Sequence, residues 1–122
     1  MSAMTPAELL CAREYLGLPK QWMAEHLGVD LKTLWRYERG LSEVPKPVAG
    51  AVEELLEHTA EVVSAMTMKC EGMQPGSLIR TYPDTADLVG FPPSWHRMVC
   101  SRVAERTGLG ITWSPVPKPT AA

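Results

Sequence analysis

The sequence has no long apolar run. Its uninterrupted hydrophobic stretches are a few residues each, far short of the ~20 residues that a membrane-spanning helix needs. Cysteine is scarce: Cys11, Cys70 and Cys100 are odd in number, far apart and set within helical patterns. That excludes a disulfide framework and predicts buried, reduced thiols. The three histidines, His26, His58 and His96, do not cluster with the cysteines, so no metal site is expected. Neither sign of charge is in surplus. Twelve Lys and Arg against 14 Asp and Glu give a net charge of −2, which argues against a protein that coats nucleic acid indiscriminately. No basic segment precedes an apolar stretch near Met1, and Glu8 and Glu14 come early, so a signal peptide is not expected and a cytoplasmic location is. There is no glycine-rich phosphate loop, nucleophile elbow or paired carboxylate on a defined cleft. Enzyme activity and a cofactor are therefore not expected.

What remains is an ordinary globular composition, 45% hydrophobic and 21% charged, over 122 residues, about one domain or two very small units. Charge is distributed unevenly: five basic and six acidic residues in 1–44, two and five in 45–76, five and three in 77–122. Any nucleic-acid contact must therefore come from local geometry.

The helical signals are dense at the start. Thr5-Pro6-Ala7-Glu8 has capping-box spacing with Pro at the first helical position, and Leu9, Leu10, Ala12 and Leu16 follow on one face before Gly17. Lys20 to Leu27 forms a second short helix, with Met23, Ala24 and Leu27 inward and Gly28 as terminator. Asp30 caps a third that ends at Gly40. Only Gly28, Val29 and Asp30 join helices two and three, the arrangement of a helix-turn-helix. After Val44-Pro45-Lys46-Pro47, a long helix from Val48 to about Glu71 carries Val48, Val52, Leu55, Thr59, Val62 and Met66 at 4-3-4-3-4 spacing, with Leu56 and Val63 widening the stripe, either a core-facing stripe or a two-helix dimer seam. Glu53, Glu54, Glu57 and Glu61 fall on its outer face.

Gly72 to Ser77 reads as a boundary. Beyond it Leu78 to Tyr82 alternates as a strand, Asp84 is placed to cap a short helix over 85–89, and Ser94 to cap a helix from Trp95 to about Thr107, with Trp95, Val99 and Val103 on one stripe. Ile111-Thr112-Trp113 is a second candidate strand, and 114–122, with three prolines, a disordered tail. The expected organisation is mainly α: a helix-turn-helix domain over 1–56, the rest of the long helix and a linker over 57–76, and a small α+β dimerisation domain over 77–113. Such a small unit is expected to lean on the long helix or on a second copy.

The third helix turns Val29, Leu34 and Tyr37 inward and leaves Leu31, Lys32, Thr33, Trp35, Arg36 and Arg39 outside. A free surface seldom spends a Trp and a Leu in this way. Lys and Arg on a helix in the major groove donate to guanine O6 and N7, and apolar groups touch the thymine methyl. Lys32 and Arg36 are thus candidates for base edges, and Leu31 and Trp35 for methyl contact or packing on the sugar-phosphate backbone. Lys20, Gln21, Thr33 and Arg39 are candidates for phosphate contacts that fix register.

The stretch "LLCAREYLGLPKQWMAEHLGVDLKTLWRYERG" resembles the lambda-repressor-like helix-turn-helix family of the Xre type. It shares the helix-one arginine, Leu-Gly-Leu before helix two, Leu-Gly-Val before helix three and the aromatic-Glu-x-Gly ending. The resemblance implies that Arg13 and Glu38 form a partly buried ion pair. Lys20 and Pro19 depart from the family's usual Gln and capping Ser. Further on, "RTYPDTADLVGFPPSWHRMVCSRVAE" is similar to regulators encoded beside anti-CRISPR genes, dimers that repress their own operons. That likeness implies a dimer contact in the C-terminal half, for which Val62, Met66, Tyr82, Trp95, Val99, Val103 and Trp113 are the candidates, and allows RNA as a further partner. The expectation is a homodimeric (auto)repressor on a palindromic double-stranded DNA operator. The alternative is an antitoxin-like module whose C-terminal half neutralises a partner protein.

Overall fold

The computed structural model describes residues 4–115. The chain is mainly helical, with one small sheet: α1 (Pro6–Tyr15), α2 (Lys20–Leu27), α3 (Leu31–Arg39), α4 (Lys46–Glu71), β1 (Leu78–Thr81), α5 (Pro93–Thr107) and β2 (Gly110–Trp113). It divides into two compact units, Met1–Glu61 and Val62–Ala122. The division falls inside α4, not at the glycine- and proline-rich Gly72 to Ser77.

In the first unit, α1 starts on a reciprocal cap: Glu8 N–H donates to Thr5 Oγ1 at 3.1 Å, and Thr5 N–H to Glu8 Oε1 at 2.9 Å. Bonds from the Thr5 backbone N–H and then its side chain hold the Glu8 carboxyl below its ordinary range. Helices α1 and α2 both pack on α3. The core between them is Leu9, Leu16, Leu18, Met23 and Leu34, all fully buried. Gly28 sits at φ +71°, so its N–H reaches Glu25 O at 3.1 Å while Val29 N–H closes on Ala24 O at 2.9 Å. A side chain there would be strained, and glycine lets the chain leave α2 and begin α3 three residues later.

Helix α4 begins two residues before the expected Val48, because Pro47 fits a first turn, where its missing N–H costs nothing. Its buried line is Val48, Val52, Leu55, Thr59, Val63, Thr67 and Cys70. After Thr59 this departs from the expected Val62 and Met66, which are only half-buried, while Val63, expected to widen the stripe, lies on the buried line itself. An α-helix repeats at 3.6 residues, so its inward line drifts off a heptad seam. Glu53, Glu54, Glu57 and Glu61 are all exposed.

The second unit is a β-α-β arrangement. β1 pairs parallel with β2, Ile79 opposite Ile111 and Thr81 opposite Trp113, with α5 packed on the sheet. The helix expected over 85–89 does not form; Ala86 N–H closes a turn on Pro83 O instead. Five residues ahead of Gly90 and Pro92 are too few to offset nucleation, and the Asp84 carboxylate is engaged by Arg97. Nor does Ser94 cap α5. Pro92 is the cap residue and Pro93 the first helical one, its ring-fixed φ suiting that position. Of the tail expected over 114–122, Ser114 N–H donates to Thr81 O at 2.7 Å and so prolongs the strand ladder, while 116–122 lie outside the described residues.

Among the described residues no helix is long and apolar enough to cross a membrane.

Candidate nucleic-acid interface

Helix α3 is built to show one face and bury the other. Leu34 is fully buried, and Val29 and Tyr37 are half-buried. On the opposite side Leu31 is 46% exposed and Trp35 43%, with Lys32, Arg36 and Arg39 exposed around them. Residues four apart stack along a helix. Leu31, Trp35 and Arg39 therefore make one ridge, and Lys32 and Arg36 a neighbouring one. The Arg39 guanidinium lies 5.3 Å from the Trp35 ring centroid, a cation over an aromatic face. That contact steadies the indole and leaves the other guanidinium edges open to an acceptor.

The only acid on α3 is Glu38, and it points away from this face. Arg13 Nε donates to Glu38 Oε2 at 2.7 Å and Nη2 to Oε1 at 3.3 Å, while Nη1 reaches Leu18 O at 3.2 Å. The two side chains are 10% and 6% exposed. The pair thus locks α3 to α1 and removes the one negative charge that would have offset Lys32, Arg36 and Arg39.

The expected phosphate ligands divide. Lys20 is exposed at the first residue of α2, whose cap, Pro19, offers no side-chain acceptor. The leading N–H groups of a helix suit an anion, and the charge of Lys20 belongs to the same end. Gln21 is exposed, but its Nε2 donates to Glu25 Oε1 at 2.9 Å, so contact with a phosphate would require exchanging that bond. Thr33 is half-buried in the α3 cap, its N–H donating to Asp30 Oδ1 at 2.7 Å. Bonds from the Thr33 side chain and then its backbone hold the Asp30 carboxyl below its ordinary range. Thr33 therefore serves the helix start first.

The residues expected at a dimer contact also separate. Trp95, Val99 and Val103 are buried in the core of the second unit and present no surface. Their four-residue spacing forms the stripe by which α5 packs on the sheet. Val62, Met66 and Tyr82 are half-buried, and Trp113 is exposed. The cysteines depart from expectation in one case: Cys70 and Cys100 are buried, but Cys11 is exposed on the outer side of α1.

Two features were not legible beforehand. The Trp22 and His26 rings stack on α2 with centroids 4.8 Å apart, for which the i, i+4 spacing was the available signal. In the second unit, Thr81 Oγ1 and His96 Nδ1 share a hydrogen bond at 2.8 Å, with Cys100 Sγ 3.6 Å from the same nitrogen. Burial depresses the His96 pKa and raises that of Cys100. A strand-to-helix contact of this kind has no sequence spacing to announce it. Nearby, Arg97 donates to Tyr82 O at 2.7 Å and to Asp84 Oδ1 at 2.5 Å, which fixes the Tyr-Pro-Asp turn. Among the described residues no group of three or more His, Cys, Asp or Glu side chains converges as a metal site would require.

Compared with known proteins, the chain matches no family model and no curated sequence.

Proposed function

We propose that the chain is a sequence-specific double-stranded DNA-binding transcriptional regulator of the Xre-like helix-turn-helix kind, with α3 as its recognition helix. The observation that carries this reading is the outer face of α3. Three cations and two exposed apolar side chains lie on two adjacent ridges, and the helix's single acid is turned inward to Arg13. A major groove offers acceptors to Lys32 and Arg36 and thymine methyls to Leu31 and Trp35. Lys20 at the uncapped start of α2 supplies the backbone contact that sets register. One such helix reads too few base pairs for useful discrimination, so the regulator acts as a homodimer on a palindromic operator, with half-sites about one helical turn apart. Repression of its own operon is what the likeness of the C-terminal half to regulators encoded beside anti-CRISPR genes implies.

The test is selection of bound duplexes from a random pool by the purified full-length protein at moderate salt. A two-fold symmetric consensus is expected. On that duplex Arg36→Ala costs about 1–3 kcal/mol and relaxes preference at one position, whereas Lys20→Ala weakens all duplexes alike and lowers the salt slope by about one. Enrichment of no sequence, or equal losses for Arg36→Ala on selected and random duplexes, removes the reading.

A further inference from the structure

The second unit has an unfinished sheet. β1 and β2 are its only strands among the described residues, and no strand pairs with the other edge of β2. Paired residues of a parallel ladder share a face, so Ile111 lies beside Ile79 and Trp113 beside Thr81, on the side that α5 covers. Ile79 and Thr81 are buried there, yet Ile111 is 41% and Trp113 58% exposed. The helix shields β1 and leaves β2 overhanging. A groove of about 350 Å³ runs along the overhang, lined by Thr81, Ile111, Thr112 and Trp113.

We infer that this edge joins a second copy of the chain: two β2 strands pair antiparallel about a two-fold axis at Thr112 and complete a four-stranded sheet. The backbone supplies the register. Ser114 N–H donates toward β1, so by the alternation of a strand Thr112 does too, and Ile111 and Trp113 turn their N–H and C=O groups to the open edge. Placing Thr112 against Thr112 brings Ile111 of one copy opposite Trp113 of the other as hydrogen-bonded pairs. An axis perpendicular to the sheet keeps both α5 helices on one face. The same register therefore sets each exposed indole against an exposed isoleucine, a favourable aromatic and β-branched cross-strand pair.

The occupant is a second copy because the strand is its own complement. Gly110–Trp113 holds neither a charge nor a proline, the usual devices that keep an edge from pairing. The inference gives a surface to the pairing that the DNA reading requires, and rests on that reading only for its purpose.

Sedimentation velocity of the full-length protein without DNA tests it. At tens of micromolar the protein is expected to be a dimer. Trp113→Lys raises the dissociation constant about tenfold or more with an unchanged far-UV spectrum, and Val89→Lys, on an exposed residue elsewhere in the unit, leaves it unaltered. In a Cys11→Ser background, Thr112→Cys cross-links the dimer on mild oxidation, because residues facing each other in a non-hydrogen-bonded pair lie within disulfide reach. A monomeric wild type, a dimer indifferent to Trp113→Lys, open-ended aggregates or a Thr112→Cys dimer that fails to cross-link each overturns the proposal. Specific DNA binding by a protein that fails these tests leaves the DNA reading standing, and a β2-paired dimer that selects no duplex does the reverse.

Discussion

Replacing Glu38 with Gln keeps the side chain's shape and removes its charge, so the change isolates the ion pair that fixes α3. In the native protein the Arg13 guanidinium is 10% exposed and makes two bonds to a carboxylate that is 6% exposed. Exposed ion pairs contribute only about 0.2–1 kcal/mol, since solvent competes for both partners. Here solvent is largely excluded. Glu38→Gln leaves a buried cation with one neutral acceptor and the Leu18 carbonyl, and losses on removing one member of a buried pair are about 3–5 kcal/mol. The counterpart is Arg13→Met combined with Glu38→Leu, which removes both charges and fills similar volume. That variant is expected to recover most of the loss, because the cost lies in the orphaned charge. Hydrogen exchange of the α1 and α3 amides is the suitable assay, since it reports the first unit without averaging over the second. A Glu38→Gln loss below about 1 kcal/mol, or a double variant as damaged as the two single losses added together, would refute the reasoning.

The depressed pKa of His96 fixes a sign for the second unit. Its folded value lies below the ordinary 6.5 because burial disfavours the imidazolium. The unfolded chain thus binds the proton more readily, and stability is full above about pH 7 and falls as pH drops through 6.5 toward the folded value. His96→Gln should flatten that slope in denaturant titrations at stepped pH, and an unchanged slope would remove the assignment. Gly28→Ala places a Cβ at φ +71° with no clash in space, so only backbone strain is added, about 1–2 kcal/mol by chemical denaturation. A loss within error would mean the turn relaxes to another geometry. Native alkylation followed by mass spectrometry should modify Cys11 quickly and Cys70 and Cys100 only on unfolding, the Cys100 thiol being both buried and raised in pKa. Equal labelling of all three would contradict the packing of α5.

Local chemistry was readable in the chain itself. The Thr5 and Glu8 cap, the Asp30 cap, the glycine at 28 and the outward set on α3 each depend on residues within four positions of one another, and a helix converts such spacing directly into direction. The Arg13 and Glu38 partnership came from a resemblance, since 25 intervening residues carry no geometric instruction of their own. Tertiary packing decided the rest. It withdrew Trp95, Val99 and Val103 into a private core. It also left Ile111 and Trp113 beyond the reach of α5. An apolar residue on a stripe states only that something must cover it, and whether that cover is the same chain or another is settled by where distant segments come to rest.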